Sequence, residues 1–164
     1  MRSIIFVRGS RYGPSTKGLT FAIKQIQSDS PRATLGGCLI IKIREKIKIF
    51  REIGRLFQSK INVPLKPAEW DQRFKVWGTH KIEENYYVLP LKNEGWKQIF
   101  SENGSFSNEL IENKLAFLAL PALWRSGKVV ALPQLGYNQL SEKTFFSQFQ
   151  PSQQLIPGSF VVAK

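Results

Sequence analysis

His80 is the one histidine and Cys38 the one cysteine among 164 residues, so the side chains that most often bind metals or relay protons are nearly absent. No histidine pair exists to hold a metal, and a serine–histidine–aspartate arrangement would have to pass through His80. His80 sits in Gly78-Thr79-His80-Lys81, a loop sequence in which a solvated imidazole is expected. Cys38 lies in an apolar run, which suits a small buried residue better than a nucleophile. Glu83 and Glu84 are adjacent and on a strand would point to opposite faces, so they make no acid–base pair. Gly127-Lys128 resembles the end of a phosphate loop, but Ala122 stands where its first glycine belongs and Val129 where a serine or threonine belongs. A hairpin turn is the better reading. Gly36-Gly37 reads as a bulge at the start of a strand, because no helix start follows to offer free amides. No catalytic constellation remains, and no cofactor is expected within the chain.

What remains is cationic. Lys and Arg number 24 against 12 Asp and Glu, a net charge of +12 and an isoelectric point near 10.0. Residues 1–60 carry 13 basic and 3 acidic side chains, or +10, whereas residues 61–164 carry 11 and 9, or +2. A basic face of this kind attracts polyanions, and with no amphipathic membrane helix beside it nucleic acid is the leading partner class. Arg8, Arg11, Lys42, Arg44, Lys46, Lys48, Arg51 and Arg55 are the candidate RNA-binding residues, since burying an unpaired guanidinium is costly. Trp70, Phe74, Trp96 and Trp124 are expected in the core. Tyr12, Tyr86, Tyr87 and Tyr137 divide evenly between core positions and stacking on unpaired bases.

The elements that must position these residues follow from periodicity. A helix is expected over 14–27, with Pro14 in its first turn and Leu19, Ile23 and Ile26 near helical spacing. From Ala33 the period becomes two, and residues 38–43 and 46–53 form an antiparallel hairpin connected by Arg44-Glu45-Lys46. Its isoleucines are expected on one face, with Lys42, Lys46 and Lys48 on the other. Residues 63–67 form an extended linker. Residues 70–77 and 86–91 are strands, and helical pieces are expected over 95–100 and 108–119, the latter capped by Asn108. Residues 122–133 form a hairpin turning at Ser126-Gly127. The chain then becomes polar and ends in a strand over 159–163. The fold class is α+β: a β-rich single domain of antiparallel hairpins with two or three short helices. Residues 1–32 form a helical lead-in and residues 33–164 the β-rich domain. The apolar content of 42% supports a core and rules out wholesale disorder. The run Ile4–Val7 is too short for a signal-peptide core, and nothing approaches a membrane span. A lone cysteine leaves no internal disulfide and mildly favours a reducing compartment.

Three stretches resemble one family. They are Thr34-Leu35-Gly36-Gly37-Cys38-Leu39-Ile40 with Phe50-Arg51-Glu52-Ile53-Gly54-Arg55, then Trp70-Asp71-Gln72-Arg73-Phe74, then Leu120-Pro121-Ala122-Leu123-Trp124-Arg125 continuing through Val130 to Tyr137. In this order they resemble the C-terminal portion of tRNA(Ile)-lysidine synthetase of the alphaproteobacterial type, and Tyr12-Gly13-Pro14 through Ile26 resembles the segment leading into it. The resemblance covers residues 10–140. It implies a whole enzyme that adenylates a wobble cytidine with ATP and lets free lysine displace AMP. The Ser-Gly-Gly-x-Asp-Ser phosphate loop of that family's N-terminal ATP-pyrophosphatase domain occurs nowhere in the 164 residues, so no catalytic or ATP-binding residue is transferred. For this portion the resemblance implies tRNA as partner, support of the missing catalytic domain, no activity of the chain alone, and the cytoplasm or an organelle matrix as its place. A fragment, a split-gene product and a stand-alone RNA-binding protein are the forms it allows. A protein-interaction module completing a separately encoded catalytic chain is the rival from a different class, and an intact small enzyme is a second.

Overall fold

Apolar runs along Pro121–Arg125 and Lys128–Leu132 set the architecture, because both faces of these strands are buried. The structure is a computed structural model that describes residues 2–9, 12–28, 31–56, 60–79, 85–103, 107–108, 111 and 113–151. Its elements are α1 (Arg2–Arg8), α2 (Thr16–Gln27), β1 (Arg32–Leu35), β2 (Cys38–Ile43), β3 (Lys46–Arg51), β4 (Ile61–Asn62), β5 (Ala68–Trp70), β6 (Phe74–Gly78), β7 (Tyr86–Pro90), α3 (Lys92–Asn103), α4 (Lys114–Phe117), β8 (Pro121–Arg125), β9 (Lys128–Leu132), β10 (Tyr137–Asn138) and β11 (Phe145–Phe149), with short 3-10 turns at Ile53–Arg55 and Pro133–Leu135. The domain is α+β and β-rich, as expected from the sequence.

The five-stranded sheet β10-β9-β8-β7-β4 is antiparallel and forms the central layer. One face carries Ala122, Trp124 and Val129 against Trp96 and Ile99 of α3. The other carries Val88, Leu123 and Ala131 against Trp70, Phe74, Val76 and Phe145 of the sheet β11-β6-β5. The turn Ser126-Gly127 has φ of 48° and 78°, the left-handed pair that matches the twist of a two-residue hairpin. Trp70, Phe74, Trp96 and Trp124 are all buried, as their types require. So are Tyr86 and Tyr137, whereas Tyr12 is 81% exposed.

The third sheet, β1-β2-β3, packs one face on α1 and α2 through Ile4, Ala22, Ile26, Ala33, Cys38 and Ile40. Ser15 caps α2, its Oγ accepting from the Gly18 amide, so Pro14 lies before the helix and not in its first turn. Aromatic rings tie this unit to the rest: Phe6 meets Phe149 edge-on at 5.6 Å, and Phe149 meets Phe74 at 5.2 Å.

Several sequence expectations are corrected. Gly36-Gly37 is a two-residue turn, not a bulge, joining β1 to β2 with φ of 59° and 77°. Residues 70–77 are not one strand: Asp71, Gln72 and Arg73 reverse the chain between β5 and β6, with Trp70 opposite Phe74. Asp71 and Gln72 hold φ of 50° and 56°. Within 108–119 the longest helix described is the four-residue α4. The strand expected over 159–163, His80, Glu83 and Glu84 lie outside the described residues.

Gly9 ends α1 at φ 74°, and a Cβ there would sit 2.6 Å from the Gln72 carbonyl oxygen. A side chain would therefore meet backbone in a conformation that L residues avoid. Gly9→Ala is expected to destabilise the fold by about 2 kcal/mol, read as a lowered urea midpoint with an unchanged m value.

Candidate nucleic-acid interface

The β2–β3 hairpin carries most of the candidate cations. Ile40 pairs with Ile49, Lys42 with Ile47 and Ile43 with Lys46, so the turn is Arg44-Glu45 alone. Arg44 takes φ 54° there. Because paired residues share a face, this register splits the lysines. Lys42 stands with Cys38, Ile40, Ile47 and Ile49 on the face turned to α1 and α2. Lys46 and Lys48 stand with Leu39, Ile41, Ile43 and Phe50 on the other. The expectation of an isoleucine face opposite a single lysine face is corrected. A two-residue turn places Lys46 in the strand, and a three-residue connector would have shifted the pairing and its faces.

Exposure rises along the ribbon. Cys38, Leu39 and Ile40 are buried at its root, whereas residues 42–47 are exposed. Lys42, Arg44 and Lys46 thus surround the tip with Glu45, and Ile43 and Ile47, 45% and 60% exposed, lie among them. Lys48 is half-buried, its Nζ donating to Asn113 Oδ1 at 3.0 Å.

The other candidates sit elsewhere. Arg51 turns inward: Nε and Nη2 donate to the Asp71 carboxylate, the latter at 2.8 Å, and Nη1 donates to the Gly37 carbonyl at 2.7 Å. Arg73 approaches the same carboxylate from the other side, Nε at 2.7 Å from Asp71 Oδ2, while its Nη2 donates to the Ala119 carbonyl at 3.0 Å. These side chains are 10%, 6% and 8% exposed for Arg51, Asp71 and Arg73. Burial lowers the pKa of Arg73 and the Asp71 charge opposes that effect. Arg8 comes up beside Gly37 in the same corner. Arg11 and the side chain of Arg55 lie outside the described residues.

Cys38 lies at the edge of this corner, fully buried, its thiol donating to the Ile4 carbonyl. Burial pushes its pKa up to about 11, against the opposing pull of Arg51. It is the small buried residue expected, not a nucleophile.

The arrangement has two separate parts. One is a tip of exposed cations suited to phosphates. The other is a buried Arg–Asp–Arg cluster that joins the Gly36-Gly37 hairpin, the Trp70–Phe74 turn and the chain entering β8. Those are the three stretches on which the family resemblance rests, now in contact. Asp71 went unnoticed in the sequence as a partner, and the only signal was an acidic residue in a turn beside two aromatics. Among the described residues no three His, Cys, Asp or Glu side chains group to hold a metal, and no helix is long and apolar enough to cross a membrane.

No family model matches the chain, and no solved structure matches it significantly. The tRNA(Ile)-lysidine synthase of Wolbachia pipientis wMel is 31% identical over 139 residues, covering 83% of this chain and 31% of that protein. That of the Wolbachia of Brugia malayi is 29% identical over 140 residues, 84% of this chain and 31% of that protein. That of Rickettsia bellii is 32% identical over 132 residues, 76% of this chain and 30% of that protein. The chain thus spans about three tenths of the length of the relatives it matches. Over that length the chain resembles the tRNA(Ile)-lysidine synthases, consistent with a C-terminal portion of them.

Proposed function

We propose that this chain is the tRNA-engaging part of a tRNA(Ile)-lysidine synthase, holding the substrate while ATP binding and bond formation occur on polypeptide outside these residues. The observation that carries this reading is the exposed tip of β2–β3, where Lys42, Arg44 and Lys46 surround a narrow ribbon. A ribbon of two strands presents cations on both faces, so it contacts phosphates on either side of a groove or bend without burying charge. The half-exposed Ile43 and Ile47 add apolar contact to the same tip.

Titration of labelled tRNA(Ile) with the chain tests this. Exchanging Lys42, Arg44 and Lys46 for Ala together is expected to weaken binding about tenfold near 0.15 M salt, on the order of 0.5 kcal/mol per cation. Exchanging the exposed Lys97 and Lys128 for Ala, on the α3 and β9 side, is expected to leave it unchanged. Equal losses in both variants would assign the affinity to net charge and remove the hairpin from it.

A second reading has its own support. Phe21 and Ile23 on α2 are 63% and 47% exposed, apolar side chains on separate flanks of the helix that are open to contact with the rest of such a synthase.

A further inference from the structure

We propose that the cleft between the second face of β1–β3 and α4 holds one unpaired nucleotide of a bound RNA, an inference that rests on the reading of the chain as an RNA-binding part. The pairing register places Arg32 and Thr34 of β1 on the same face as Leu39 of β2 and Phe50 of β3. Lys114 and Leu115 of α4, with Asn93 at the start of α3, form the opposite wall. The cleft between them measures about 350 Å³, within the roughly 300–1,000 Å³ of small-ligand sites.

Its chemistry is divided as a nucleotide is divided. Leu39, Phe50 and Leu118, each buried, supply an apolar floor, and the half-buried Leu115 an apolar wall against which a base can lie. Arg32 of β1 and Lys114 of α4 both line the cleft, so a phosphate within it has a cation on each element to meet. Thr34 and Asn93 supply polar groups that read a base edge. Taking a paired base out of its stack costs about a few kcal/mol, so an already unpaired nucleotide is the favoured ligand. A purely apolar ligand would leave the two cations unused, and an acidic peptide would leave the floor unfilled.

The test is fluorescence anisotropy of a labelled pentaribonucleotide, a blunt RNA duplex and tRNA(Ile) with the intact 164-residue chain. One variant carries Arg32→Ala with Lys114→Ala, and a second, Leu115→Trp, fills the cleft; circular dichroism verifies each fold. The pentaribonucleotide is expected to bind more tightly than the duplex. Its affinity is expected to fall about tenfold or more in either folded variant, while the contribution of Lys42, Arg44 and Lys46 to tRNA binding persists. Unchanged pentaribonucleotide binding in the Arg32/Lys114 variant overturns the proposal, and so does preference for the duplex. A chain that binds tRNA but not the pentaribonucleotide overturns the cleft alone. A chain that binds neither overturns the RNA-binding reading with it.

Discussion

Asp71→Asn is expected to lower the stability of the fold by about 3 kcal/mol, although it changes the side chain by one atom type and no volume. Asn also tolerates the φ of 50° that Asp71 adopts, so backbone strain does not enter the comparison. The loss comes from the guanidinium groups. Arg51 and Arg73 are 10% and 8% exposed, and both point at the one carboxylate. Removing its charge leaves two cations partly stripped of water with one neutral amide oxygen and the Gly37 and Ala119 carbonyls as acceptors, and turns an NH2 donor toward a guanidinium, so the desolvation penalty is poorly compensated. The cost falls on the joint between β1–β3 and the rest of the domain. Urea unfolding followed by circular dichroism measures it. A midpoint within experimental error of the parent chain would show that the cluster is decorative.

Trp70→Ala is expected to cost about 4 kcal/mol, the range for emptying a buried aromatic site. Trp70 is 1% exposed and meets Phe74 edge-on at 6.1 Å. Its ring lies between the two sheets with Val76, Val88, Leu123 and Phe145, none of which can move into the space without breaking its own strand pairing. Trp70→Phe is expected to lose less than half as much, because the aromatic body stays. Thermal unfolding of the two variants separates a packing role from one in RNA contact: the midpoint should fall for Trp70→Ala at any salt concentration.

How much of this was legible in the sequence depended on distance along the chain. The β8–β9 hairpin was readable because Ser126-Gly127 announces its turn locally. The burial of Trp96, Trp124 and Cys38 was readable from residue type and apolar surroundings. The register of β2–β3 was not, since Arg44 at φ 54° is an unusual turn residue and one residue of slip exchanges the faces. The short α1 gave too few residues for a helical period, and its helicity comes from Ile4 packing on the β1–β3 unit. β11 hid in a Gln- and Ser-rich stretch because it is an edge strand whose Phe145 alone is buried. The pairing of Arg51 with Asp71 spans 20 residues and two different sheets, so no local pattern could give it. Arg51 therefore entered as a candidate for phosphate and is instead held by a carboxylate. For the interface itself, the residue types were evident from the charge excess in residues 1–60, while their arrangement around a tip required the fold.

The dependence of tRNA(Ile) affinity on salt concentration, compared between the parent chain and the chain with Lys42, Arg44 and Lys46 all changed to Ala, tests the interface most directly. A plot of log affinity against log salt should lose about one unit of slope for each cation that touches a phosphate, so a decrease of about three units is expected. Superimposable slopes would mean that the exposed end of this hairpin touches no phosphate, and the tRNA-engaging role would have to be sought on another face.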